Sequence, residues 1–360
     1  MKIAISASQI TPGGGLTKYI CTLIEILTKS TDNDVWFITT HPSKENPTIE
    51  RFVKEKKISY ISLSHLPLIR KYISLISVLR KINPDVIINN YNAPTQYILP
   101  FLSCKIKIVH ILHNNTEDFY RVAAINGKYV NQWIAPTPAL AQYFDEYTHQ
   151  KYSARITVIP HGVEDPICPS IKSDISQLTY VGVLYEHKGV KILPDIIKKL
   201  IDKQYKFHFT FIGDGILRAE LEKRLSQEIK KGFVEFTGRI SGEEVYRRLS
   251  KTDIFVYPTH IDAFGLVIAE AMINQAIPVV TLLPGITDSI VDNGINGYLI
   301  EKDNIEMFVD RITQLLDNST LMDTMKEKAK DKVLSHFSIE KMSINYTYFI
   351  NKLFCKTKIN

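Results

Sequence analysis

Short apolar runs alternate with amphipathic stretches along most of the chain. In the first half, KIAISA at residues 2–7, VWFIT at 35–39, VIINN at 86–90 and IKIVHILHN at 106–114 read as buried strands. Helical periodicity fills the intervals: a helix is expected from Lys18 to about Leu27 and another over residues 65–82, closed by Asn83-Pro84-Asp85. In the second half, strands are expected at 178–189, 207–213, 234–241 and 253–257, with helices over 216–230, Phe264–Ala276 and 337–354. Strands alternating with helices predict parallel sheets wrapped by helices, with ligands held at the carboxyl ends of the strands.

At 360 residues the chain exceeds one ordinary core and suits two domains. The expected division gives residues 1–166 to a first domain and 167–337 to a second, with a terminal helix, 338–360, packing back on the first. The net charge is +6, and the excess lies in residues 1–165, which hold 18 Lys+Arg against 13 Asp+Glu. Such a balance fits anionic membrane surfaces or phosphorylated substrates and is too weak for a nucleic-acid partner. Cys21, Cys104, Cys168 and Cys355 are far apart and form no C-x-x-C pair, and no signal segment or long apolar run is visible. These features point to reduced thiols in the cytoplasm and away from a zinc site.

The chemistry concentrates in PTHIDAFGLVIAEAM, Pro258 to Met272. A strand ending at Pro258 followed closely by a helix makes a turn at the sheet's carboxyl edge, where unpaired amides and the helix dipole favour an anion. Gly265 lets a ligand approach the backbone. Asp262 and Glu270 bracket the helix start, and on continuous helix they would be roughly 12 Å apart, about the span of a sugar, a diphosphate and a ribose. On that reading Glu270 holds ribose hydroxyls, the amides of Phe264, Gly265, Leu266 and Val267 face the diphosphate, and Asp262 reaches the sugar. The plainer alternative makes Asp262 an N-cap and Glu270 a solvated helix residue.

The run D-AFGLVIAE-AM resembles the E-x7-E signature of the retaining glycosyltransferases of family 4, with Asp262 in place of the usual first Glu. The resemblance implies the GT-B fold, an α/β architecture of two Rossmann-like domains whose parallel sheets face each other across a cleft. It also implies transfer of a sugar, with retention, from a nucleotide-sugar donor that is commonly UDP-linked. The departing diphosphate would take the acceptor proton, so neither a protein nucleophile, a metal nor another cofactor is needed. Carried over by position, Glu270 binds the ribose, Asp262 the donor sugar, and Phe264-Gly265-Leu266 present amides to phosphate and sugar.

Other segments extend the likeness. GGGLTKY resembles a G-G-x-x-x-Y loop and brings in Gly14 and Gly15, although a glycine triplet is also a plain flexible turn. His113-Asn114, at the tip of its strand, stands where the family has a donor-sugar histidine, whereas His110 is expected to be structural. Thr137 is expected to cap the helix that follows it, and ITVIPHGVED resembles the segment closing the first domain. In LTYVGVLYEHKG, Lys188 falls on the family's diphosphate-binding Lys, but Val183 stands on the Arg position, leaving Arg239 as a substitute cation. The backbone at Arg239 and Ile240 matches the place where the family holds the base. Gly285, Asp288 and Ser289 stand near the family's G-I-P-E segment, without its Glu. Asp32-Asn33-Asp34 has the D-x-D form of a metal-chelating motif in another fold, but its setting is a helix-to-strand turn.

The acceptor leaves no signature. The basic first half and the amphipathic helix at 65–82, with Arg70, Lys71, Arg80 and Lys81, suggest a lipid-linked or surface-polysaccharide acceptor, as in lipopolysaccharide or capsule synthesis, at the inner face of a bacterial membrane. The same helix could simply bury its Leu/Ile stripe against the sheet. Two rival functions remain: a sugar-nucleotide epimerase, which would form an epimer from donor alone, and a nucleotide-sugar-binding module that never turns over.

Overall fold

The computed structural model describes residues 1–11, 14–29, 32–43, 46–165 and 175–355. Gly13, Cys168 and the expected boundary at 166 and 167 lie outside them. The chain divides into two compact units, Met1–Pro160 with Met342–Asn360, and His161–Lys341.

The first unit carries strands β1 (Lys2–Ala7), β2 (Asp34–Thr39), β3 (Ile58–Ser62), β4 (Val86–Asn90), β5 (Lys107–Ile111), β6 (Gln132–Ala135) and β7 (Ile156–Val158). Between them run helices α1 (Gly15–Thr28), α2 (Pro47–Lys54), α3 (Leu68–Ile82), α4 (Ala93–Ile98), α5 (Glu117–Ala124) and α6 (Pro138–Tyr147). The strands pair in parallel in the order β3-β2-β1-β4-β5-β6-β7. Because both faces of a parallel sheet are covered, β1 and β4 are buried almost throughout, and Phe37, Trp133 and Phe144 fill the core.

The second unit repeats the plan with β8 (Ser176–Val181), β9 (Phe207–Ile212), β10 (Val234–Gly238), β11 (Ile254–Tyr257), β12 (Ile277–Thr281) and β13 (Tyr298–Ile300). Its helices are α7 (Leu193–Asp202), α8 (Arg218–Arg224), α9 (Ser226–Lys230), α10 (Gly242–Leu249), α11 (Leu266–Ile273), α12 (Ile305–Leu316) and α13 (Ser319–His336). The parallel order is β10-β9-β8-β11-β12-β13, over a core of Tyr180, Phe209, Phe211, Phe255 and Phe308. Residues Ile268–Ile273 are buried consecutively, so α11 is packed all round. The last helix, α14 (Ile339–Phe354), packs from Met342 onward with the first unit, where the Tyr346 and Tyr19 hydroxyls share a hydrogen bond.

In each sheet the strand order reverses once, between β1 and β4 and between β8 and β11. Loops leaving the two strands at such a point depart to opposite sides and open a crevice. The residues after β1, β4, β8 and β11 are therefore the ones placed to meet a ligand.

Several expected elements differ in extent. The strand expected over 178–189 is Ser176–Val181, beyond which Gly182 and Leu184 donate N–H bonds to the carbonyls of Ile212 and Asp214. The helix expected over 216–230 breaks at Leu225 into α8 and α9. Lys326 and Lys332 of α13 pair with Asp253 and Asp292.

Candidate active site

The turn from Pro258 to Gly265 links β11 to α11 and is organised by Asp262. Its Oδ1 accepts from the backbone N–H groups of Ala263 (2.8 Å), Gly265 (3.1 Å) and, at longer range, Phe264 (3.4 Å). Its Oδ2 accepts from Lys188 Nζ (3.1 Å) and the Tyr257 hydroxyl (2.9 Å). Five donors saturate the carboxylate. Burial pushes the Asp262 carboxyl up, but the Lys188 charge and the bonds from Lys188, Tyr257 and Ala263 outweigh it and hold the group below its ordinary range. Asp262 is thus a carboxylate bonded on both oxygens, and the helix N-cap is not Asp262 but Gly265, at φ 87, with no side-chain cap.

Two of the four amides expected to face a diphosphate, those of Phe264 and Gly265, are consequently held by Asp262. Those of Leu266 and Val267, in the first turn of α11, carry no hydrogen bond within the described residues. They remain the donors with the helix-terminal polarity an anion requires.

Lys188 reaches this turn from across the strand-order reversal. It ends a short 3-10 turn, Glu186–Lys188, after β8, and its Nζ also donates to the Ile261 carbonyl at 3.0 Å and sits 5.5 Å from the Tyr257 ring centre. Gly189 allows the two loops to touch: at φ 65, an added Cβ would lie 1.7 Å from the Pro258 carbonyl oxygen. Tyr257 was not singled out in the sequence, since an aromatic at the end of a buried strand looks like core.

Glu270 lies on α11 and is only 8% exposed, which rules out a solvated helix residue. The expected axial spacing from Asp262 does not apply, because the helix begins only at Leu266. Val183 is 37% exposed and offers only its carbonyl, which accepts from the Tyr180 hydroxyl at 2.9 Å. Arg239, the expected substitute cation, lies apart from this cluster. It follows β10, three strand spacings or about 14 Å from β11, and is exposed with no partner for its side chain among the described residues. Ile240 beside it is half-buried. The glycines of Gly213-Asp214-Gly215 answer a packing need, since a Cβ at Gly213 would lie 1.9 Å from the Gly182 oxygen. Thr287 links the stretch around Gly285, Asp288 and Ser289, accepting from Leu283 N–H at 2.7 Å and donating to the Thr281 carbonyl at 2.9 Å. A cavity of about 310 Å3 lies elsewhere, lined by Gln177, His208, Arg247, Arg248 and Lys251. Its Arg247 and Arg248 are bonded to Glu244 and Glu235, and it borders the amino halves of β8 and β9, away from the loop cluster.

In the first unit the predicted residues also gather at the reversal. Gly14 caps α1 and Gly15 begins it, with open space where a Gly15 side chain would project. His113, just beyond β5, lies with Nε2 3.0 Å from Asn90 Oδ1 and its ring edge-on to Tyr19. His110 is structural: it is 1% exposed, within 3.0 Å of Gln96 Oε1, and burial pushes its imidazole down to about 3. Thr137 caps α6 as expected, accepting from Leu140 N–H. Asp32-Asn33-Asp34 forms a turn, with Asn33 Nδ2 donating to the Leu27 carbonyl. Among the described residues no cluster of three or more His, Cys, Asp or Glu side chains could hold a metal.

Two family models match: Glycosyltransferase Family 4 over residues 13–165 and Glycosyl transferases group 1 over residues 169–332. The chain belongs to the family 4/group 1 glycosyltransferases of the GT-B fold. An uncharacterized glycosyltransferase of Methanocaldococcus jannaschii is 28% identical over 342 residues, covering 92% of this chain and 93% of that one. The Escherichia coli UDP-Gal:alpha-D-GlcNAc-diphosphoundecaprenol alpha-1,3-galactosyltransferase is 26% identical over 204 residues, 52% of this chain and 51% of its own length. Among solved structures, Anabaena HepE in complex with UDP and glucose aligns with a TM-score of 0.79 at 15% identity, covering 98% of this chain and 100% of that one. A mutant of S. aureus TarM bound to fondaparinux, alpha-GlcNAc-glycerol and UDP aligns equally well, at 14% identity and the same coverage. The protein is a glycosyltransferase enzyme, which removes the reading as a binding module without turnover.

Proposed function

We propose that this glycosyltransferase moves a sugar from a UDP-linked donor to a carbohydrate or lipid-linked acceptor hydroxyl with retention at the anomeric carbon, in synthesis of a bacterial surface polysaccharide or glycolipid. The observation carrying the donor side is the turn at Asp262–Val267, where the Lys188 ammonium joins the loop leading into α11, the amides of Leu266 and Val267 open that helix, and buried Glu270 follows on it. Amides and ammonium suit a diphosphate, and a carboxylate suits the paired hydroxyls of a ribose. UDP in the HepE and TarM complexes, and the UDP-sugar of the E. coli relative, support the choice of nucleotide.

In the reaction the bond from anomeric carbon to phosphate oxygen breaks, the acceptor oxygen bonds to the same face of that carbon, and its proton passes to the departing phosphate oxygen. Lys188 and the Leu266 and Val267 amides stabilise charge developing on the diphosphate. Asp262 positions Lys188 and the turn. By the family's pattern His113, Gly14 and Gly15 are assigned to sugar and phosphate, and the backbone at Arg239 and Ile240 to the base.

Peripheral contact with an anionic membrane belongs to the same proposal. Leu68, Ile69 and Ile73 of α3 are 62%, 74% and 63% exposed, with Arg70, Arg80 and Lys81 on the same helix. No helix among the described residues is long and apolar enough to cross a membrane. The donor assignment is tested with Glu270→Ala by calorimetry: UDP affinity should fall about thirtyfold or more. Unchanged UDP affinity would remove Glu270 from the site, and an inverted product anomer seen by NMR would overturn retention.

A further inference from the structure

The residue that follows β4 is Tyr91, and it has a backbone conformation that a tyrosine rarely takes, φ 52. The cause lies in its neighbours. Asn89 Oδ1 accepts the Asn92 N–H at 2.9 Å, and Asn89 Nδ2 donates to the Asn92 carbonyl at 3.3 Å, so the two asparagines close a tight turn over Asn90 and Tyr91. Asn92 is in turn tied to β1 and its surroundings: its Nδ2 donates to Ser6 Oγ (2.7 Å) and the Ala7 carbonyl (3.0 Å), and its Oδ1 accepts from Thr40 Oγ1 (2.8 Å). Asn89, Asn90 and Asn92 are fully buried, and Tyr91 is the one member of the turn that reaches solvent.

Glycine would adopt this conformation without strain, so the turn itself gives no reason for a tyrosine. The ring does have a setting. It stacks on Phe119 with centroids 3.7 Å apart and planes 13° from parallel, and both rings are half-buried. Its position is also special, because β1 and β4 are the strands between which the first sheet's order reverses. Asn90, the preceding residue, bonds His113.

We propose that Tyr91, backed by Phe119, is a binding residue for the acceptor, and that it takes the C–H-rich face of a sugar ring. This deepens the transferase reading and rests on it. The chemistry favours a neutral sugar over an anion: the side chains fixing the turn are amides and hydroxyls, and the neighbouring Asp118 and Arg121 pair with each other at 2.8 Å. A flat aromatic face that reaches solvent is a common way to bind an uncharged ring that is apolar on its faces.

The test is Tyr91→Gly in the full chain, with octyl glucoside, octyl galactoside and octyl N-acetylglucosaminide as probes, titrated by calorimetry in the presence of UDP. The native protein should bind at least one glycoside, and Tyr91→Gly should bind it about tenfold more weakly. UDP affinity should be unchanged, and the melting temperature unchanged or raised, because the strain is gone. Phe119→Leu, which keeps Tyr91 and removes its backing, should weaken the same glycoside by a smaller factor. The proposal is overturned if the native protein binds none of the three while binding UDP, if Tyr91→Gly binds glycosides equally well, or if it melts markedly lower with glycoside affinity intact. Absence of UDP binding by the native protein would instead sink the donor assignment beneath it.

Discussion

The two units reverse their strand order in the same way, yet they equip the resulting loops differently. At β8/β11 the loops meet through charge: a lysine from one and an aspartate from the other, with a tyrosine hydroxyl and three amides on the same carboxylate. At β1/β4 they meet through neutral groups: Ser6, Thr40, Asn89, Asn92 and Thr95 join by hydrogen bonds between amides and hydroxyls. On the proposed assignments, one topology would serve two kinds of ligand: a diphosphate needs positive charge and helix-terminal amides, whereas an uncharged acceptor is met by an aromatic face.

The comparison breaks most readily at Asp262. If this carboxylate acts through Lys188 and the turn, Asp262→Asn should weaken UDP and UDP-glucose by a similar factor, about tenfold to thirtyfold by calorimetry. Loss confined to UDP-glucose would show that Asp262 touches the sugar after all.

A second line concerns acid response, which each unit carries through a buried histidine. His110 is held neutral with its pKa at about 3, below the ordinary 6.5, so unfolding takes up a proton whenever the pH lies between those values. Its contribution to stability is complete above 6.5 and declines as pH falls, by about 2 kcal/mol at pH 5, until it is lost near 3. His161 in the second unit behaves alike, since burial pushes it down to about 3 against the pull of Asp262. Asp262, held low, contributes stability that is lost only below its ordinary 3.8. Chemical denaturation from pH 7 to 4 should show this decline, and His110→Gln should remove its share of the slope; an unaltered slope would contradict it.

The smallest effect concerns the outer face of α3. Ile73→Glu should reduce flotation with vesicles rich in phosphatidylglycerol about threefold at low salt, with donor affinity unaffected. Equal flotation of the two proteins would remove α3 from the membrane contact.

The sequence alone determined the alternation of strands and helices and the glycine at the head of α11. These are local properties: apolar periodicity and a residue tolerating positive φ. Tertiary structure decided what no local pattern carries. Lys188 and Asp262 stand 74 positions apart and meet at 3.1 Å only because β8 and β11 are neighbours in the sheet. Asn92 finds Ser6 across 86 positions for the same reason in the first unit, which is why Tyr91 passes in the sequence as one more aromatic after a strand. Whether a carboxylate is free or saturated, and whether a tyrosine is relaxed or strained, depends on partners that arrive from distant chain, and sheet topology chooses those partners.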